Sequence, residues 1–413
     1  MGRTKTTALS LGLILASAGG AHAQADLFSR QTFSGLIDLR LAAADGEPSW
    51  VDGRLGKARF GKGRQGLRLG EAALVWNPRL SDTLSAVVVA ESQDGQRHLV
   101  DLGEGYLAYR SRPGSALRLS ARAGVFYPPI SLEHDGLDWS VPDTITPSAV
   151  NTWVAEEAKV LGLEATVRRT IGGQTFSLTA GAFTNGDTSG TELTFRGWAL
   201  HDIKSPVFGR FPLAPLSNYM VRKQAPSTTP LAEIDGHVGY YGRLEWRPSS
   251  TLAFDLFGYD NAGDRTSVDA NREWSWETRF WNLGMRLDLP VAAIKAQVMT
   301  GETLMGYSNA NGIWADMGFE AAYVSASKTL GPGSATVRYD RFSTTGRTNK
   351  ALDNNAEHGR SGMAAYRWDV RPDSQIVFEA LHIDSFRRDR ARLGLAPQQR
   401  QTVLQAAFRR QFY

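Results

Sequence analysis

The sequence contains no cysteine in 413 residues. A chain of this length without disulfides must be held together by a packed core or by a closed network of backbone hydrogen bonds. After the first 23 residues, no stretch approaches the roughly 20 consecutive apolar residues that a spanning helix needs, and mean hydropathy is negative. These absences exclude a helical membrane protein.

The sequence also lacks a strong excess of one charge. Without Arg3 and Lys5 it has 44 basic and 42 acidic residues, too close to balance to indicate binding to nucleic acid. The histidines are scattered without metal-ligand spacing, and no G-x-S-x-G nucleophile elbow occurs. We therefore expect no enzyme activity, no metal and no cofactor.

The first residues have the pattern of an export signal. Arg3 and Lys5 form a basic region, residues 8–18 are apolar, and Ala21-His22-Ala23 matches a small-x-small cleavage site. This predicts a signal peptide over residues 1–23 and a mature chain over residues 24–413.

Four prolines, Pro248, Pro290, Pro332 and Pro372, recur every 40 to 42 residues. Between them lie pairs of segments in which apolar and polar residues alternate, as in residues 281–289. A repeating unit of strand, long connection, strand and short turn predicts an all-β fold, a transmembrane antiparallel up-and-down β-barrel. We count about 16 strands, but residues 194–203 also alternate, so 18 strands remain possible.

The connections at the two ends of the predicted strands differ in length. Short turns such as Leu289-Pro290 and Gly331-Pro332-Gly333 are expected on the periplasmic side. Longer polar connections, including residues 45–65, 126–157, 186–235 and 306–317, are expected to face outward.

The polar faces of the predicted strands are rich in arginine. Residues two apart share a face of a strand, and an arginine at the lipid midplane would cost about 2 to 4 kcal/mol, so these side chains should point into the lumen. The predicted pore-lining residues are Arg40, Arg118, Arg122, Glu164, Arg168, Arg243, Arg286 and Arg338.

Residues 126–157 supply the opposite charge. This segment carries Glu133, Asp135, Asp138 and Asp143 with no lysine or arginine. Thr146 followed by Pro147 is typical of a helix start. We expect a short helix and a constriction loop that folds inward, with its carboxylates facing Arg118, Arg122 and Arg168. The alternative is a solvated outward loop.

The number of strands, the turn and loop asymmetry, the acidic loop after the fifth strand and the terminal aromatic Tyr413 together resemble the Gram-negative outer-membrane porin family. The arginine-rich interior is similar to that of its anion-preferring members. The resemblance implies a bacterial outer-membrane location, contact with lipid and lipopolysaccharide, recognition by the barrel assembly machinery, and a homotrimer.

The function that this resemblance implies is passive diffusion of small hydrophilic solutes or ions through a water-filled, arginine-lined pore. Two alternatives stay open at this point. One is a substrate-specific channel for phosphate, dicarboxylates or sugars, and the other is a non-conducting structural or adhesion barrel whose loops plug the lumen.

Overall fold

The structure is a computed structural model that describes residues 27–114, 116–349, 351 and 353–413. The predicted signal peptide lies outside the described residues. Sixteen strands form a closed antiparallel barrel in which each strand pairs with its neighbours along the chain, and the first strand pairs with the last. The predicted fold class and strand number are confirmed.

The first half of the wall contains β1 (Phe33–Ala44), β2 (Gly66–Trp76), β3 (Leu84–Ser92), β4 (Asp101–Arg110), β5 (Leu117–Phe126), β6 (Val160–Ile171) and β7 (Gln174–Thr184). Two-residue strands β8 (Phe211–Pro212) and β9 (Ser227–Thr228) pair only with each other, inside the connection that follows β7. The second half of the wall contains β10 (Gly239–Arg247), β11 (Leu252–Asp260), β12 (Glu277–Asp288), β13 (Ala293–Asn309), β14 (Gly312–Leu330), β15 (Gly333–Gly346), β16 (Glu357–Arg371), β17 (Ser374–Arg387) and β18 (Gln398–Phe412).

Helices are few and short. The α-helices are α1 (Ala149–Glu157) and α2 (Thr191–Arg196), and short 3₁₀ turns cover Arg30–Thr32, Trp50–Asp52, Leu137–Trp139 and Arg388–Leu393. Among the described residues, none of these helices has the length and apolar character needed to cross a lipid bilayer.

Alternation along the strands gives the wall an apolar outer face. In β12, Trp281 and Leu283 are 62% and 57% exposed, whereas Asn282 between them is 3% exposed. Successive side chains of a strand point to opposite faces, so one face of β12 is turned outward and the other inward.

Residues 194–203 form no strand, because α2 occupies 191–196 and the chain that follows lies buried against the inner wall, so the barrel has 16 strands and the alternative of 18 does not apply. The predicted long connection over residues 306–317 is wrong, since β13 and β14 continue past the expected boundary to a two-residue turn at 310–311. The edge contact between Tyr307 and Trp314, with ring centroids 5.4 Å apart, stabilises this extension of the hairpin.

Three of the long connections pack inside the barrel. We call residues 47–60, 127–159 and 191–205 together the loop plug. All nine residues of α1 are buried, and the Ala149 amide donates to Asp340 Oδ1 on β15 at 3.0 Å. The Trp153 ring lies 5.2 Å from Phe280 and 5.1 Å from Phe319, both on inner faces of the wall. The plug and the wall therefore share a core in the middle of the lumen.

Candidate solute pathway in the barrel interior

Two of the predicted pore-lining arginines lie where the wall meets the loop plug. Arg40 on β1 binds Asp38 at 2.7 Å and Asp202 of the plug at 2.5 Å. Arg338 on β15 binds Asp340 at 2.9 Å and donates to the Thr146 carbonyl oxygen at 2.6 Å. Both guanidinium groups are buried, and their contacts connect the wall to the plug.

Arg122 and Glu164 form a pair on the opposite side of the barrel. They face each other in the register of β5 and β6, with Arg122 Nε 2.9 Å and Nη2 3.1 Å from the carboxylate oxygens. Arg122 also donates to the Tyr127 carbonyl oxygen of the plug at 2.8 Å, and the Tyr241 hydroxyl donates to Glu164 at 2.7 Å. This pair marks the height at which the plug meets the β5–β6 wall.

Arg243 and Arg286 are also neutralised. Arg243 on β10 donates to Asp255 at 2.6 Å and to Glu245 at 2.8 Å. Arg286 on β12 donates to Asp135 of the plug at 2.9 Å. Each therefore carries an acidic partner close by.

Arg118 and Arg168 differ from the other six predicted residues. They stand directly opposite each other in the register of β5 and β6, and both are exposed. Arg168 donates to the Ser177 hydroxyl at 3.0 Å. Within the described part of the chain, neither guanidinium forms an ion pair.

A chamber of about 950 Å³ opens beside these strands. Its lining includes Arg122 and Glu164 at one end and residues of the short turns 77–83 and 110–113 at the other, so it faces the mouth formed by the short turns. Polar side chains dominate the lining: Arg79, Ser81, Asp82, Thr83, Ser85, Arg110, Arg112, Ser120, Arg122 and Glu164.

Arg79 and Arg110 were not among the predicted pore-lining residues. Arg110 follows the alternation of β4, in which Tyr106 faces Arg122 on the inner side and Tyr109 is 41% exposed on the outer side. That alternation could have revealed it. Arg79 lies in an irregular turn and follows no period.

The four predicted loop carboxylates do not face Arg118, Arg122 or Arg168, which corrects that expectation. They pair with basic groups elsewhere: Glu133 with Arg338 at 3.4 Å, Asp135 with Arg286 at 2.9 Å and Lys295 at 3.0 Å, Asp138 with Lys204 at 2.7 Å, and Asp143 with Arg367 at 2.6 Å. The physical reason is that α1 packs against β13, β14 and β15, which places Glu133, Asp135 and Asp143 near the second half of the wall, whereas the turn that carries Asp138 packs against β1.

Lys204, which the sequence analysis missed, lies at a junction of three segments. Its ammonium group is 2.8 Å from Glu71 on β2 and 2.7 Å from Asp138 of the plug, and Glu91 on β3 lies at 3.8 Å. Burial alone would lower the pKa of Lys204, but Asp138 and Glu71 hold it well above its ordinary value. Burial raises the pKa of Asp138, although Lys204 opposes the shift.

The basic residues of the first long connection are also internal. Lys57 forms an ion pair with Glu357 and donates to the Trp198 carbonyl oxygen at 2.9 Å. Burial lowers the pKa of Lys57 to about 8. Arg59 donates to Asp202 at 3.0 Å. The connection predicted to be outward and solvated therefore contributes buried charges to the plug.

At the height of α1 the lumen is filled. On the inner wall, Gln297, Phe319 and Phe342 are at most 2% exposed, and Trp198 of the plug is fully buried among them. The chamber at the short-turn mouth is therefore separated from the opposite mouth by packed loop residues in this conformation.

Histidine and serine approach each other at one place in the plug. Ser131 Oγ lies 2.8 Å from His134 Nδ1, but the same oxygen accepts hydrogen bonds from the amides of Glu133 and His134. The His134 ring is stacked on Trp139 with centroids 3.8 Å apart. These contacts are those of a local turn, and they leave the Ser131 oxygen occupied.

No protein-family model matches the sequence, and no curated protein matches it. Solved structures match nearly the whole chain at low identity. The outer membrane channel DcaP of Acinetobacter baumannii aligns with a TM-score of 0.55 and 10% identity over 93% of this chain and 99% of that one. The anion-selective porin from Comamonas acidovorans gives 0.52 and 12% over 92% and 99%, and the loop L8 deletion mutant of OmpT, an outer membrane protein of Vibrio cholerae, gives 0.51 and 9% over 92% and 98%. At these identities the likeness shows the fold, so the chain has the closed sixteen-stranded barrel fold of outer-membrane porins and channels.

Proposed function

We propose that the protein is a bacterial outer-membrane channel for small hydrophilic solutes and ions. The outer wall is apolar, as the exposures of Trp281 and Leu283 illustrate, and the inner wall is charged. This is the polarity that a closed barrel needs in lipid. In this proposal the short turns lie on the periplasmic side, and residues 1–23 direct export.

The observation that carries the proposal is the chamber of about 950 Å³ at the short-turn mouth. A cavity lined by arginines and hydroxyl groups holds water and hydrated solutes, whereas a purely structural barrel has no need of one. Arg118, Arg122, Arg168, Arg243 and Arg286 would line the pathway, and Arg40 and Arg338 would hold its plug.

Residues 127–159 would constrict this pathway together with the other parts of the loop plug. The plug is fixed to the wall by the ion pairs of Lys204 with Glu71, Asp202 with Arg40 and Glu133 with Arg338. When such ion pairs separate, water forms hydrogen bonds with the freed charges and offsets part of the lost free energy, which it does not do for apolar contacts. The proposed channel conducts when these polar contacts open.

The further partners implied by the barrel remain part of the proposal. They are the lipid and lipopolysaccharide around the wall, the machinery that assembles barrels, and two further copies of the chain in a homotrimer. Native mass spectrometry of the detergent-solubilised protein tests the trimer directly.

A second candidate function is a non-conducting outer-membrane barrel. The apolar contacts of Trp153 and Trp198 with Phe319 inside the lumen favour it, because they make the plug part of the core. In that case the chamber would be a closed pocket on one side of the membrane.

Solute uptake by proteoliposomes separates the two functions. We expect liposomes that contain the protein to swell in isotonic solutions of small sugars or amino acids, and to swell more slowly as the solute becomes larger. Protein that is folded and inserted but gives the swelling rate of empty liposomes would support the non-conducting barrel and refute the channel.

A further inference from the structure

We infer that the short-turn mouth contains a binding site for a small multivalent oxyanion, formed by Arg79, Arg110, Arg118 and Arg168. We call these four residues the arginine cluster. The inference deepens the proposed function, on which its role in transport rests, because it names the class of solute that the pathway favours.

Register brings three members of the cluster together. Arg118 and Arg168 are direct partners across β5 and β6, and Arg110 stands opposite Ser120, two residues from Arg118 on the same face. Side chains at directly opposite positions have Cβ atoms about 5 Å apart, and diagonal neighbours about 7 to 8 Å. Guanidinium groups on long side chains can therefore converge on one ligand.

The fourth member reaches the same space from a turn. Arg79 and Arg110 both line the chamber, together with the hydroxyl-bearing Ser85 and Ser120. Arg79 pairs with Ser85 through the backbone, and Ser85 is the register partner of Ala108 on β4. Arg79 and Arg110 thus line the open polar space, and Arg118 and Arg168 stand beside it on the same face of the wall.

The carboxylates near the cluster already have partners. Glu164 accepts two hydrogen bonds from Arg122 and a third from Tyr241. Glu245 and Asp255 both bind Arg243. Among the described residues, none of the four clustered guanidiniums forms an ion pair, unlike Arg40, Arg122, Arg243, Arg286 and Arg338 of the inner wall.

Like charges directly opposite each other on a sheet repel and are destabilising. In the described part of the chain no carboxylate forms an ion pair with Arg118 or Arg168, so an anion between them would reduce this repulsion. Guanidinium groups bind planar or tetrahedral oxyanions through paired N–H donors. A ligand with two or more negative oxygens, such as phosphate or a short dicarboxylate, fits several arginines at once better than chloride does.

Equilibrium dialysis of the detergent-solubilised full chain against radiolabelled inorganic phosphate tests the site without requiring conduction. We expect saturable binding that competes with succinate and weakens as sodium chloride is raised, because exposed charges are screened by salt. The double variant Arg118→Gln/Arg168→Gln should bind at least about tenfold more weakly, since each lost charge-assisted contact weakens binding. Arg360→Gln, which removes an exposed arginine on β16 outside the chamber, is the matched control and should bind as the wild type does.

A second measurement avoids variants that fail to fold. Phenylglyoxal modifies exposed arginines, and mass spectrometry of peptides locates the modified residues. Phosphate should protect Arg110, Arg118 and Arg168 in the wild-type protein and leave Arg360 unprotected.

The outcomes separate the site from the channel. Phosphate binding and protection in a protein that does not conduct would support the site and refute the channel function. A protein that conducts but shows no saturable phosphate binding, or equal binding by the wild type and the double variant, would overturn the site and leave the channel function standing. Equal protection of Arg118 and Arg360 would overturn it as well.

Discussion

Replacing Lys204 with methionine should loosen the loop plug from the wall. The change keeps an unbranched side chain of similar length and removes the charge that Glu71, Asp138 and Glu91 share. The side chain of Lys204 is 4% exposed, so water cannot simply take the place of the ammonium group. Three carboxylates would be left close together without the lysine that lies between them.

The expected cost follows from this burial. Removing one partner of a buried ion pair costs about 3 to 5 kcal/mol, because the remaining charge stays unpaired in a poorly solvated site. In the wild type, the pKa of Lys204 is raised well above its ordinary value. Its contribution is therefore fully present below the ordinary pKa of 10.5 and is lost only as pH rises beyond that.

The pH dependence of the variant has a definite sign. Burial already raises the pKa of Asp138, and loss of the lysine removes the charge that opposes this shift. A carboxyl with a raised pKa destabilises the fold as pH rises, because the folded form prefers the proton. The deficit of K204M should therefore be larger at pH 8 than at pH 5.

Urea unfolding in detergent, followed by tryptophan fluorescence, measures this deficit. Lys62→Met is the control, because Lys62 is an exposed lysine on the same long connection as the plug residue Lys57. Limited proteolysis within residues 191–205 reports whether the plug is released. A change below about 1 kcal/mol at pH 8, or a larger deficit at pH 5, would show that Lys204 does not hold the plug in this way.

Three further changes test other parts of the structure. Burial, followed by repulsion from Glu156, raises the pKa of Glu157 from 4.5 to about 7. The protonated Glu157 side chain therefore stabilises the fold fully below pH 4.5, and this stabilisation is lost as pH rises through 7. In the wild type, the unfolding free energy should fall by roughly 2 to 3 kcal/mol between pH 5 and 8, and Glu157→Gln should remove this decline. Trp153→Ala should cost about 3 to 5 kcal/mol by leaving a cavity beside Phe280 and Phe319, and should also increase ion current, whereas unchanged stability would mean that the plug does not pack there. Gly124→Ala should destabilise the barrel by roughly 1 to 3 kcal/mol or more, because φ is +137° and a Cβ would lie 2.2 Å from the Gly105 carbonyl oxygen. Gly362→Ala, whose added Cβ would meet open space, is the control. Equal melting temperatures of the two variants would contradict this prediction.

The wall could be predicted from sequence because its information is local. A strand shows its two faces within a few residues, as residues 281–289 do, and sixteen such segments predict a closed barrel. The same alternation places Arg118 and Arg122 on one face. The strand ends could be predicted less well. The hairpin of β13 and β14 continues beyond its predicted boundary, because paired strands can extend past the membrane into water, where their outer residues no longer need to be apolar.

The plug could not be predicted in the same way. Arg40 and Asp202 are 162 residues apart, and nothing near either residue indicates the other. Lys57, Arg59 and Lys204 are charged residues in polar segments, and such segments are usually solvated loops. Their burial depends on carboxylates from distant parts of the chain: Glu357 for Lys57, Asp202 for Arg59 and Glu71 for Lys204. The acidic loop was identified, but the direction of its carboxylates depended on where α1 packs.

Single-channel recording in planar lipid bilayers tests the central proposal most directly. We expect stepwise currents from the wild type and larger or longer openings from K204M, because the polar contacts of the plug control passage. In a salt gradient, the reversal potential should shift toward cation preference when Arg118 and Arg168 are neutralised. Folded, inserted protein that gives no current in either the wild type or K204M would contradict the account.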